Sequence, residues 1–145
     1  MRPRYESPED LKNEKEIADF VERKYGIMLR KMPDRYYIDF MAFKDQSAVG
    51  VVEIKRRYRT VGKFSTLFLN LDKWTHGTKF FYDHGLPFSF VVGFDDGIYR
   101  YKYQTEDKQM FQIKFAGRED RGDPQDMEPV VQIPIGRLEK LERTR

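Results

Sequence analysis

The sequence predicts an α+β fold with a mixed β-sheet. Three observations carry this: a capped amphipathic helix at 8–25, a series of short apolar strands broken by tight polar turns, and a second capped helix at 71–84 set among those strands. No long βαβ series accompanies them, so an all-parallel architecture is not expected.

The first helix begins at SPED. Ser7 suits the N-cap, Pro8 the first helical position, and Asp10 the acidic position of a capping box, while Gly26 is a natural stop. Leu11, Ile17, Ala18, Val21 and Tyr25 form its apolar stripe, with Phe20 at the margin. GIMLRKM (26–32) reads as a short strand, RYYIDFMAF (35–43) as a second and AVGVVEIKR (48–56) as a third. The brief KDQS turn between the last two predicts a hairpin. YRTVGK is a basic loop, and FSTLFLN (64–70) fits strand or helix. Asn70 can cap LDKWTHGTKFFYDH, whose Leu71, Trp74 and Phe81 share a face and which ends at Gly85 and Pro87. PFSFVVGF and IYRYKY flank Asp95-Asp96-Gly97 as a second hairpin, with the acids read as turn residues rather than a metal site. MFQIKF (110–115) alternates as a strand, 116–129 is a polar loop, and VVQIPI is expected at a sheet edge because of Pro134. GRLEKLERTR reads as a short helix or a frayed tail.

At 145 residues the chain fits one domain, with a core at about 8–103 and a C-terminal extension over 104–145. The 12 Phe and 9 Tyr suit a sheet-rich core. The absence of cysteine removes disulfides and zinc–thiolate sites and fits a reducing cytoplasm. No apolar leader opens the sequence and no run is long enough to span a bilayer, so neither a signal peptide nor a membrane partner is expected. A net charge of +3 permits nucleic acid as a partner.

The informative residues are charges where the pattern calls for apolar ones. Glu14 lies three residues before Ile17 and projects into the helix stripe, either as a functional acid or as a helix-start acid that bends to solvent. Glu53 and Lys55 share one strand face with Val51, opposite Val52 and Ile54. A hairpin centred on KDQS makes opposite residues sum to 91 or 92, and 39 plus 53 is 92, so Asp39 and Glu53 come face to face. Two carboxylates so placed repel each other unless a cation lies between them, and their hard oxygens suit Mg²⁺ or Mn²⁺. The competing reading is a solvent-facing ion pair between Lys55 and one acid.

Asp39, thirteen intervening residues and then Glu53-Ile54-Lys55 resemble the D…ExK motif of the PD-(D/E)XK nuclease superfamily. NEKEIADFVERKYG, with Glu14, is similar to the first helix of archaeal Holliday-junction resolvases, and the order helix–strand–strand–strand–helix–strand matches the superfamily core over about residues 8–94. Ile38 stands where the family name has Pro. The resemblance implies a restriction-endonuclease-like fold and hydrolysis of DNA phosphodiester bonds with Mg²⁺, for which Mn²⁺ can substitute. It further implies metal ligation by Asp39, Glu53 and the Ile54 carbonyl, positioning of water by Lys55, completion of the site by Glu14, and a homodimer. Branched DNA is the favoured substrate; RNA-directed cleavage and a non-catalytic nucleic-acid- or protein-binding module are the alternatives.

Arg56, Arg57, Arg59 and Lys63 follow the motif as candidate phosphate contacts, with Tyr58 able to stack on a base, or they form a solvated loop. Lys73, in the first turn of the second helix, is a further candidate phosphate contact, and Trp74 is assigned to the core. His76 and His84 read as ordinary surface residues, and Arg121-Gly122-Asp123 as a chance match to an adhesion tripeptide.

Overall fold

The computed structural model describes residues 8–117 and 127–142. Helix α1 spans Pro8–Tyr25 and α2 spans Leu71–His84. The strands are β1 (Met28–Lys31), β2 (Phe40–Lys44), β3 (Ser47–Arg56), β4 (Thr66–Asn70), β5 (Phe88–Phe94), β6 (Gly97–Lys102), β7 (Ile113–Gly117), β8 (Met127–Pro134) and β9 (Glu139–Lys140). Ser7 and the 121–123 tripeptide lie outside the described residues.

Two sheets form. The larger has the order β1-β2-β3-β5-β6-β9, with β3 and β5 parallel and its other neighbours antiparallel. The smaller has the order β4-β8-β7. Both helices and the mixed sheet agree with the restriction-endonuclease-like α+β fold. β3 is the central spacer. Its Val52 and Ile54 face α1, where they join Ile17, Ala18 and Val21, while Val51 faces Trp74 of α2 and Leu67, Leu69, Val131 and Ile133 of the small sheet. Glu53 alternates with Val52 and Ile54, so it belongs to the α2 side. α2 lies close against β5: a Cβ on Gly77 would meet the Phe88 ring at 2.5 Å.

The hairpin behaves as its turn chemistry dictates. Asp45 (φ 49°) and Gln46 (φ 71°) are both left-handed, as a two-residue hairpin turn requires. Pairs near the turn sum to 91 (Lys44 with Ser47, Phe43 with Ala48), and beyond a bulge they sum to 92 (Ala42 with Gly50, Phe40 with Val52).

Several elements differ from expectation. Residues 35–38 are not strand: Asp34–Tyr36 make a 3₁₀ turn closed by left-handed Tyr37, and β2 starts only at Phe40. Leu11 is exposed rather than part of the buried stripe. FSTLFLN is strand β4, because β8 supplies its ladder partner from far along the chain. β8 is a central strand, not an edge; Pro134 is tolerated because it pairs at the strand's last position. The strand expected from 110 begins at 113, after a turn. The tail is neither helix nor frayed through 142: residues 135–137 make a 3₁₀ turn, β9 pairs with β6, and Leu141 is buried with the α1 cluster. No described helix is long and apolar enough to cross a membrane.

Candidate active site

Asp39 sits one residue before β2 and Glu53 lies within β3, where the hairpin register brings them together. They exchange hydrogen bonds: the Asp39 backbone N–H donates to Glu53 Oε1 at 3.1 Å, and the Ile54 N–H donates to Asp39 Oδ2 at 3.1 Å. The Asp39 carbonyl also accepts from the Met32 N–H at 2.8 Å, which fastens it to the end of β1. Glu53 is 6% exposed. Burial, followed by the Asp39 charge, pushes its carboxyl up to about 8; Lys73, the Asp39 N–H and Lys55 pull it back only in part. Burial thus outweighs the nearby cations and favours the neutral acid.

Two lysines approach the pair. Lys73 Nζ lies 3.6 Å from Glu53 Oε1, and Lys31 Nζ lies 3.3 Å from Asp39 Oδ1. Lys73 was expected near a phosphate, and its position here puts it at the carboxylates. Lys31 went unassigned in the sequence reading. It ends β1, and the chain between it and Asp39 is not a tight turn, so no register arithmetic links the two. Lys55 acts on Glu53 electrostatically from two residues along β3.

Among the described residues no group of three His, Cys, Asp or Glu could hold a metal ion, and Glu14 is half-buried on α1. α1 packs on the Val52 and Ile54 face of β3. The charges of Glu14 and Glu53 both act on Arg57. Burial is the main influence lowering the Arg57 pKa, with Arg59 adding to it, while Glu14 and Glu53 oppose the shift.

The loop after β3 is tied to its neighbours at several points while Tyr58, Lys63 and Phe64 stay exposed. Arg56 donates to the Gly93 carbonyl at 3.1 Å and pairs with Asp95 at 2.8 Å, and it also bonds the Arg57 carbonyl. Asp96 accepts from the Val61 N–H at 3.0 Å, so the Asp95-Asp96-Gly97 turn latches the basic loop. The Tyr58 hydroxyl donates to Asp10 at 2.7 Å and accepts from Asn13 at 2.9 Å, while its ring lies under the Arg56 guanidinium. Arg59 stacks between Phe64 and Phe94, and Lys63 is exposed beside Phe64. Of the loop cations proposed for phosphate, Arg56 and Arg59 are thus engaged in holding the loop. Trp74 is core, as expected.

The site offers two interlocked acids, a lysine on the motif strand and two further lysines within reach. A family model described as "Phage putative PDDEXK endonuclease" matches residues 1–141. No curated protein matches the sequence. The match covers nearly the whole chain, and the protein belongs to this nuclease family, whose substrate class is nucleic acid.

Proposed function

We propose that this member of the PDDEXK endonuclease family hydrolyses DNA phosphodiester bonds with Mg²⁺, which Mn²⁺ can replace, and that its preferred substrate is branched DNA of the Holliday-junction kind. The observation that carries the reading is the buried exchange between Asp39 and Glu53, in which burial and then the Asp39 charge disfavour ionisation of Glu53. The donor set fits a hard divalent ion: two carboxylates and the adjacent Ile54 carbonyl are all oxygens, and Mg²⁺ is commonly held by one or two carboxylates plus substrate phosphate rather than by an all-protein cage.

In this reading Asp39, Glu53 and the Ile54 carbonyl hold the ion. A bound divalent cation lowers the pKa of its water and neutralises charge that develops on the phosphorus centre. Lys55 orients the attacking water. Lys73 and Lys31, drawn to the acids here, turn to the substrate phosphates, and Arg57 and Lys63 meet the backbone on either side. Glu14 completes the site by holding a second ion or a metal-bound water, and its charge also acts on Arg57. A twofold dimer lets two such sites cut paired strands.

The test is cleavage of matched linear, branched and single-stranded DNA, and of the equivalent RNA, with Mg²⁺ or EDTA. Metal-dependent nicking that disappears in Asp39→Ala and Glu53→Ala supports the reading. Activity that survives both changes overturns it. Metal-independent binding with no cleavage identifies a non-catalytic module, and cleavage of RNA alone an RNA-directed nuclease.

A further inference from the structure

We propose that Tyr37 and His76 form a stacking platform for an unpaired nucleobase beside the scissile phosphate. The inference rests on the nuclease reading above and names what the same site selects. The Tyr37 and His76 rings stack with centroids 4.4 Å apart and planes 27° from parallel. Tyr37 is 47% exposed, so the stack is not a core contact. Both rings are held before any ligand arrives. His76 Nδ1 donates to the Asp72 carbonyl at 2.6 Å, which orients the imidazole. Tyr37 closes the preceding 3₁₀ turn through its N–H to the Asp34 carbonyl at 3.0 Å, and Ile38, 2% exposed, anchors the chain just after it.

The backbone at Tyr37 is left-handed (φ 62°), a conformation that glycine adopts freely and an aromatic residue adopts at a cost. The chain thus carries a large ring, left open to solvent, at a position where backbone sterics favour none. The stack is tied to the segments that carry both acids. Tyr37 lies two residues before Asp39, and His76 lies one helical turn beyond Lys73, whose ammonium is 3.6 Å from Glu53. A rigid aromatic surface accepts any base by its face. Fully paired duplex keeps those faces stacked, whereas a flap, a gap or a junction whose crossover pairs open offers one. The substrate class is therefore DNA with an unpaired nucleotide next to the cut.

The experiment uses the full chain and a flapped duplex with 2-aminopurine at its first unpaired position, beside a blunt duplex of equal length. Binding is measured in EDTA, and cleavage is measured separately in Mg²⁺. Wild type and Tyr37→Phe are expected to quench the probe. Tyr37→Gly, which relieves the left-handed strain and keeps the protein folded by thermal melting, is expected to abolish the quench. It should weaken flap binding by about five- to 100-fold and leave duplex binding unchanged. A quench that persists in Tyr37→Gly, or an equal loss on both DNAs, overturns the platform. If cleavage requires Glu53 while the quench ignores Tyr37, the platform alone fails; if cleavage ignores Glu53, the nuclease reading fails.

Discussion

Among the described residues two carboxylates are buried, and their surroundings are opposites. Asp107, fully buried, accepts the Tyr101 hydroxyl at 2.6 Å and the Gln104 N–H at 3.3 Å, and it is ion-paired to Arg137. Glu53 has one backbone N–H, one lysine at 3.6 Å and a second carboxylate pressing on it. The first satisfies its neighbours and joins β6 to the 135–137 turn. The second is left short of positive charge. Burial alone thus does not single out a candidate functional acid; the opposing carboxylate and the single hydrogen bond at Glu53 do.

The strongest way to sharpen this contrast is to neutralise each acid in turn. Glu53→Gln is expected to cut DNA cleavage by roughly 10³-fold, the equivalent of several kcal/mol of lost charge stabilisation. Its thermal midpoint should not fall, because Gln matches the shape of the neutral acid and cannot take on the charge that burial disfavours. A cleavage time course and a melting curve on the same sample check both halves. Asp107→Ala should do the reverse. It strands the Tyr101 hydroxyl and removes the Arg137 partner, so stability should drop by about 3 kcal/mol. The folded fraction should keep its cleavage rate, as read by urea titration and by assay at low temperature.

The pH dependence of stability separates the two acids next. The Glu53 carboxyl titrates near 4.5 when unperturbed and about 8 when folded. Between those values the native state binds more protons than the unfolded state, so stability falls as pH rises through the window and levels off above it. The slope should reach at most about 1.4 kcal/mol per pH unit and should flatten in Glu53→Gln. Saturating Mg²⁺ should also flatten it if the ion favours the charged form. Urea midpoints across the window test this. The smallest effect belongs to the lysines. Lys73→Met should raise the Glu53 pKa further, seen as a shift of the same stability profile to higher pH. Lys31→Met, at a pair whose lysine is 62% exposed, should change stability by under ~1 kcal/mol.

Much of the site could be read directly because its two acids are near neighbours along the chain. Asp39 and Glu53 are joined by one hairpin, and the KDQS turn makes their pairing a matter of counting. Lys55 followed from alternation along the same strand. For Glu14, helical phase gave the place on α1 but not its neighbours from other elements, such as Arg57. Lys31 and the Tyr37–His76 stack also escaped, because the irregular 33–38 segment carries no register. Asp107 gave no signal, being one acid in a polar stretch until Tyr101 and Arg137 close over it.

The sequence by itself determined the bounds of both helices, the two hairpins and the meeting of Asp39 with Glu53. Each depends on caps, turns or periodicity that act over a few residues. Tertiary structure alone decided that β8 would be central, that 64–70 would be strand, that the tail would pair with β6, and which cations would reach the acids. Those outcomes depend on partners brought together by burying apolar surface from distant segments, and no local rule specifies that choice.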